Sequence, residues 1–213
     1  MIPIYSPISG FEQMRASTMM RITRRGVLVG AIAASAVTPA LALDGAEARK
    51  FVETMGAELI EILRTAKPGA ERADEFLDLF RRAAALPQIG RFTMGLNWRQ
   101  MTEAQQAAFL EAFESHAVRS YTKSIGDYSG QVLIVTGTQD AGQRGVLVSS
   151  VLRAQGAQDV RLDWLVSDRS GKPQVVDVVA EGVSLAITQR EEFAAMVEAR
   201  RGDIDRFIAD LRG

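Results

Sequence analysis

The chain has 213 residues, with 25 Lys and Arg against 26 Asp and Glu, a formal charge of -1, one His and no Cys. So even a balance excludes the concentrated basic surface that nucleic acids require, and a fold without thiols is held by packing and not by disulfides. One histidine leaves any transition-metal site to carboxylates, and neither a Gly-x-Ser-x-Gly elbow nor nucleotide-binding glycine spacing occurs.

In chain order, the first element is an expected export segment over residues 1–42. Arg21, Arg24 and Arg25 precede an apolar run from Gly26 to Val37, and Ala40-Leu41-Ala42 offers the small residues of a signal-peptidase site. The run has 12 residues, too few for the ~20 of a bilayer-spanning helix, so it reads as a cleaved signal. Thr23-Arg24-Arg25-Gly26-Val27-Leu28 approximates a twin-arginine signal, with Val27 where that pattern prefers an aromatic residue, and both export routes stay open. Its removal takes four arginines (Arg15, Arg21, Arg24, Arg25) and one acid (Glu12), leaving 21 bases against 25 acids and a charge of -4.

Residues 43–213 suit one domain with a substantial core. From Ala46 to Ala66 apolar residues recur at Phe51, Val52, Met55, Leu59, Ile62 and Leu63, with Asp44 and Glu47 as a start signal and Lys67-Pro68-Gly69 as a stop. A second helix is expected from Ala70 to about Ala85, carrying Phe76, Leu77 and Phe80, and Pro87 ends it or opens the next short turn. Ile89, Phe92, Met94 and Leu96 form a glycine-punctuated segment too apolar for an ordinary loop, so it should cover something, and were a bound ligand to be released through a second state, Gly90 to Gly95 is the candidate for the part that moves. Thr102 with Gln105 has the form of a capping box ahead of a long helix bearing Phe109, Phe113, His116 and Tyr121, which ends near Gly126.

Four strands follow, at Gln131–Thr138, Arg144–Ala154, Gln158–Asp168 and Pro173–Glu181, joined by short turns that favour consecutive antiparallel pairing. The third alternates Val160, Leu162, Trp164 and Val166 against Arg161, Asp163 and Ser167. The fourth leaves Asp177 alone among valines, then turns at Gly182 into a helix that Ser184 could cap, and helical pieces over Ser184–Arg200 and Asp203–Leu211 complete the chain. The expected fold is α+β: helices packed on one face of a four-stranded antiparallel sheet.

Catalytic chemistry is thinly represented. His116 between Phe113 and Ser120 reads as a helix residue, and Asp74-Glu75, Glu111-Glu114 and Glu191-Glu192 read as solvated helix faces. The larger signal is surplus apolar surface: Phe76, Phe80, Phe92, Met94, Phe109 and Phe113 from helices, and Val146, Val148, Trp164, Val166 and Val176 from strands. These either close an ordinary core or line an elongated apolar cavity able to take acyl chains.

Several stretches, taken in order, resemble the MlaC (toluene-tolerance) family of periplasmic phospholipid carriers. They are Phe76-Leu77-Asp78, the run from Phe92 to Arg99, the helix Gln105 to Tyr121 with Phe109, Phe113 and Tyr121, the strand Val146 to Val151, Trp164 in the place of a tyrosine, and Asp177 to Ser184 leading to Arg190 and Phe193. Lys172-Pro173-Gln174 departs from a Trp-Lys pair common in the family, and Thr188-Gln189-Arg190 from Asn-Tyr-Arg.

The resemblance implies an NTF2-like fold around an apolar cavity and a non-enzymatic role with phospholipid as cargo and no cofactor. It further implies an ABC-type lipid transport system, in which the protein exchanges lipid between an inner-membrane MCE-domain protein and an outer-membrane lipoprotein complex. Other readings of the residues are a carrier for another apolar ligand such as a hopanoid, an envelope enzyme using His116 with carboxylates, and an adaptor whose apolar residues only fill a core.

Overall fold

The computed structural model describes residues 43–213 apart from 68, 125–129, 155 and 157, with backbone alone at 121–124. The expected export segment, the helix end near Gly126, the side chain of Tyr121 and Pro68 of the first stop signal lie outside the described residues.

Helix α1 (Gly45–Thr65) begins where Asp44 Oδ1 accepts the Glu47 N–H at 2.7 Å, and its buried stripe includes Ala48, Val52, Met55 and Ile62. Helix α2 (Ala70–Ala83) buries Phe76 and Leu79. Of the two readings of Pro87, the structure has the opening one, with a helix in place of a short turn: Pro87 stands at the start of α3 (Leu86–Met94), where its missing N–H costs nothing. The glycine-punctuated segment expected as a cover is helix as far as Met94. Gly90 permits α3 to lie close to the next long helix, since a Cβ there would stand 2.8 Å from Leu110 Cδ2.

A 3₁₀ turn (Asn97–Gln100) leads to α4 (Glu103–Ser124). The capping box is complete, with Thr102 N–H donating to Gln105 Oε1 at 3.0 Å and Gln105 N–H to Thr102 Oγ1 at 3.2 Å.

The sheet has five strands in sequential antiparallel order, one more than expected: β1 (Val132–Asp140), β2 (Val146–Arg153), β3 (Val160–Ser167), β4 (Gln174–Ala180) and β5 (Val183–Ser184). The extra strand arises because Glu181 and Gly182 both take positive φ (49° and 85°), a two-residue hairpin turn that folds the chain back along β4 before the helix starts. The third strand pairs with β2 without a break, while its register with β4 shifts at Leu165/Val166, where Val176 is the extra residue; Asp163, Trp164, Val166 and Ser167 are all buried, so both faces of the strand are covered there. Helices α5 (Leu185–Ala199) and α6 (Ile204–Arg212) are capped by Ser184 and Asp203.

Packing divides into two clusters. In the first, α1 and α2 cover one sheet face, joining Ala48, Val52, Ile62 and Leu79 to Val146, Val148, Val166 and Val175. In the second, Phe109 is fully buried, with Phe113, Phe193 and Phe207 at ring distances of 5.8, 5.9 and 6.1 Å. Each such ring contributes ~2–3 kcal/mol of burial, so this helical cluster is a stable platform beside the sheet.

Candidate functional site

A pocket of about 500 Å³ lies where α1 and α2 face the sheet. Helix α1 supplies Met55, Leu59, Ile60 and Leu63, and α2 supplies Phe76, Leu79, Phe80 and Ala83. From the sheet come Leu133, Leu152, Leu162, Trp164, Val175, Val176 and Val178, and the neighbouring helices add Ile89, Phe113, Leu185 and Ala186. Charged or amide side chains among the described lining residues are Gln131, Asp177 and Gln189. A wall of this kind offers hydrocarbon contact and few groups able to orient a polar substrate.

Three hydrogen-bond arrangements hold the wall in place. The Trp164 indole N–H donates to Ser150 Oγ at 2.8 Å, and that hydroxyl donates to the Leu162 carbonyl at 3.0 Å. The indole's polar atom is thus satisfied inside the sheet, which frees its ring to serve as apolar surface. Buried Gln174 donates to the Ala84 carbonyl at 3.1 Å, while the Ala85 N–H donates to the Val175 carbonyl at 2.9 Å. The end of α2 is thereby fixed against β4, so the Lys172-Pro173-Gln174 departure provides an anchor beside the pocket.

Asp177 explains the strand-to-helix signature. Its Oδ2 accepts from Ser184 Oγ at 2.6 Å and its Oδ1 from the Ala186 N–H at 3.1 Å, while Ser184 Oγ itself accepts the Ile187 N–H at 3.1 Å. A carboxylate at the start of α5 satisfies free N–H groups and meets the positive end of the helix dipole. The consequence for the site is positional: Leu185, Ala186 and Gln189 are held on the pocket wall.

Ion pairs brace the helices outside the pocket. Arg82 on α2 pairs with Glu58 on α1, and Arg81 Nε donates to Glu114 on α4 at 2.7 Å. These hydrogen bonds first, and the acids' charge as well, raise both guanidinium pKa values, though exposed pairs of this kind add little to stability.

Of the eleven apolar residues expected at one cavity, the structure brings Phe76, Phe80, Phe113, Trp164 and Val176 onto the pocket. Phe76 and Phe80 stack there at 5.9 Å. The other six fall elsewhere. Val146, Val148 and Val166 are sealed beneath α1, where the small Ala48 and Val52 join them in one core. Met94 and Phe109 belong to the helical cluster. Phe92 is exposed, with the Arg190 guanidinium 5.3 Å above its ring.

Residues that sequence reasoning left out are mostly aliphatic: Leu59, Leu133, Leu152, Leu162, Val178 and Leu185. Met55, Leu59 and Leu63, on one stripe of α1, were the available signal.

His116 lies off the pocket lining, its ring 5.7 Å from Phe193 and its Nε2 3.4 Å from Ser120 Oγ. Burial first, and the Arg119 charge second, push its pKa down against the opposing effect of Glu192. No three His, Asp or Glu side chains are placed to hold a metal ion among the described residues, and none of the described helices is long and apolar enough to cross a membrane.

The family model described as MlaC protein matches residues 53–213. Among solved structures, the fold is similar to that of a phospholipid-binding protein from Ralstonia solanacearum in complex with a phospholipid. The TM-score is 0.63 at 22% identity, covering 78% of this chain and 99% of the other.

Proposed function

The chain belongs to the MlaC protein family, and on that premise we propose that it carries phospholipid through the periplasm, with acyl chain in the pocket between α1, α2 and the sheet. One observation carries the reading: a 500 Å³ pocket walled almost entirely by hydrocarbon, on a chain of this family. The Ralstonia protein of similar fold was solved with phospholipid, which supports the same class of cargo.

Volume sets what fits. A cavity of about 150 Å³ holds benzene, roughly 25 Å³ per carbon, so by that measure a 500 Å³ pocket takes on the order of 20 carbons, one acyl chain. A two-chain phospholipid needs nearly twice that, so a second chain enters only if the α1–α2 layer and the sheet draw apart. Covering is worth having: each methylene removed from water contributes ~0.8 kcal/mol, and an uncovered chain does not cross an aqueous compartment.

In this reading residues 1–42 direct export, an inner-membrane MCE-domain protein and an outer-membrane lipoprotein complex load and unload the carrier, and no reaction is catalysed. The position of His116 off the pocket lining favours the carrier over the enzyme reading. Protein purified from its native compartment, extracted with organic solvent and analysed by mass spectrometry, should yield about one phospholipid per chain. A polycyclic lipid would redirect the account to another apolar cargo, and an empty protein would remove it.

A further inference from the structure

A second pocket, of about 400 Å³, opens beside the first described residue. Leu43 is buried and belongs to the core under α1, and its backbone N–H donates to Asp168 Oδ2 at 3.1 Å. The position of this nitrogen is fixed from both directions, because the Leu43 side chain is packed and Asp44 caps α1 immediately after it. Three carboxylates line the pocket: Asp44 ahead of α1, Asp140 at the end of β1, and Asp168 after β3. Asp44 accepts the Glu47 N–H and Asp140 the Gly142 N–H at 2.7 Å. Among the described lining residues the one cation is Arg169, whose guanidinium donates to the Gln143 carbonyl at 2.5 Å. The pocket thus holds more negative than positive charge, and the chain nitrogen stands at its wall. Directly ahead of that nitrogen in sequence is Ala40-Leu41-Ala42, the small-residue pattern of a signal-peptidase site.

We propose that the chain is cut between Ala42 and Leu43, and that the new α-ammonium of Leu43 is bound by the Asp168 carboxylate in this acid-lined pocket. The inference rests on the export reading. Hydrolysis by a signal endopeptidase adds one water across the Ala42–Leu43 bond, leaving a carboxylate on Ala42 and an ammonium on Leu43. An amide donor with no charge becomes a cation at a site already shaped by its hydrogen bond. Maturation therefore adds an ion pair that the precursor lacks, tying the start of α1 to the end of β3.

The test begins with the full chain exported from its own leader, analysed by intact mass and N-terminal sequencing, with Leu43 expected as the first residue. NMR titration of the mature protein should then show the Leu43 α-amino group raised above its ordinary value of about 7.7–8.0, by about one unit, as a nearby opposite charge does. In Asp168→Asn, which can still accept the hydrogen bond but carries no charge, the value should return to the ordinary range. Because the folded value is raised, the stability gained is present below about pH 7.7 and lost as pH rises through the raised value. Enzymatic acetylation of the wild-type α-amino group should abolish that pH dependence, which keeps the test open if Asp168→Asn fails to fold. A different first residue, or an ordinary Leu43 value in the wild type, overturns the proposal. Lipid content of the same preparation reports separately on the carrier reading.

Discussion

Replacing Leu59 by Asp places a carboxylate in the pocket wall while sparing the sealed core. Leu59 is half-buried on α1, one turn beyond Met55, and it lines the pocket opposite the sheet. With acyl chain seated, the new charge faces hydrocarbon without a partner, and the effective penalty for an unpaired ion in such surroundings is several kcal/mol even after relaxation. Part of that is relieved if the short side chain turns toward the mouth, so a loss of about 2–3 kcal/mol is expected, roughly 30- to 150-fold in affinity. Native mass spectrometry of co-purified lipid and displacement of a fluorescent phospholipid measure it, with circular dichroism confirming the fold. Val132→Asp is the matched control, since Val132 is 54% exposed and is not on the pocket. A folded Leu59→Asp protein that keeps wild-type lipid content refutes the placement of the cargo.

The remaining predictions concern the frame around the pocket. Val148 has no exposed surface, so Val148→Asp should unfold the protein outright, a loss above ~4 kcal/mol from a buried unpaired charge, visible as loss of a cooperative melt. Asp177→Ala removes the acceptor for Ser184 Oγ and the Ala186 N–H, and should cost about 1–3 kcal/mol while accelerating amide exchange at the first turn of α5; unchanged exchange at Ala186 would contradict the capping role. Gly145 has φ 118°, and a Cβ there would lie 2.0 Å from the Val166 carbonyl oxygen, so Gly145→Ala should lower stability by about 2–4 kcal/mol in urea titration. For His116 the folded pKa is lowered from 6.5, chiefly by burial, so the fold favours the neutral ring. Its contribution is complete above pH ~6.5 and lost as pH falls through the lowered folded value, so the stability difference between wild type and His116→Gln should change across that window. A constant difference would contradict it.

Local signals in the sequence carried most of the fold. Asp44, the Thr102–Gln105 box and Ser184 each act within three residues of themselves, so their roles were legible without tertiary knowledge. The four longer strands were legible for the same reason, as β-rich runs punctuated by turns. β5 was not, because two residues have no periodicity, and its existence depends on Glu181 taking a left-handed conformation after β4. α3 was obscured by Pro87, which reads equally as a stop or as a first-turn residue, and only the approach of α3 to α4 at Gly90 shows what the glycine is for.

The pocket was half legible. Aromatic residues drew attention by size, yet Phe109 meets Phe193 and Phe207, partners far along the chain, and so packs into the helical cluster. On α1 the same stripe that buries Val52 against the sheet reaches the pocket at Leu59 and Leu63. Where one becomes the other depends on how the helix crosses the strands, and no repeat in the sequence encodes that crossing.

Photo-crosslinking reads where the acyl chain sits, with a phospholipid carrying a diazirine near the end of one acyl chain and tryptic peptides mapped by mass spectrometry. Adducts are expected on the peptides bearing Leu59, Phe76 and Trp164, which line the pocket from α1, α2 and β3. Adducts confined to exposed positions such as Val132 and Ile134 on β1, or to Leu96, would contradict that placement.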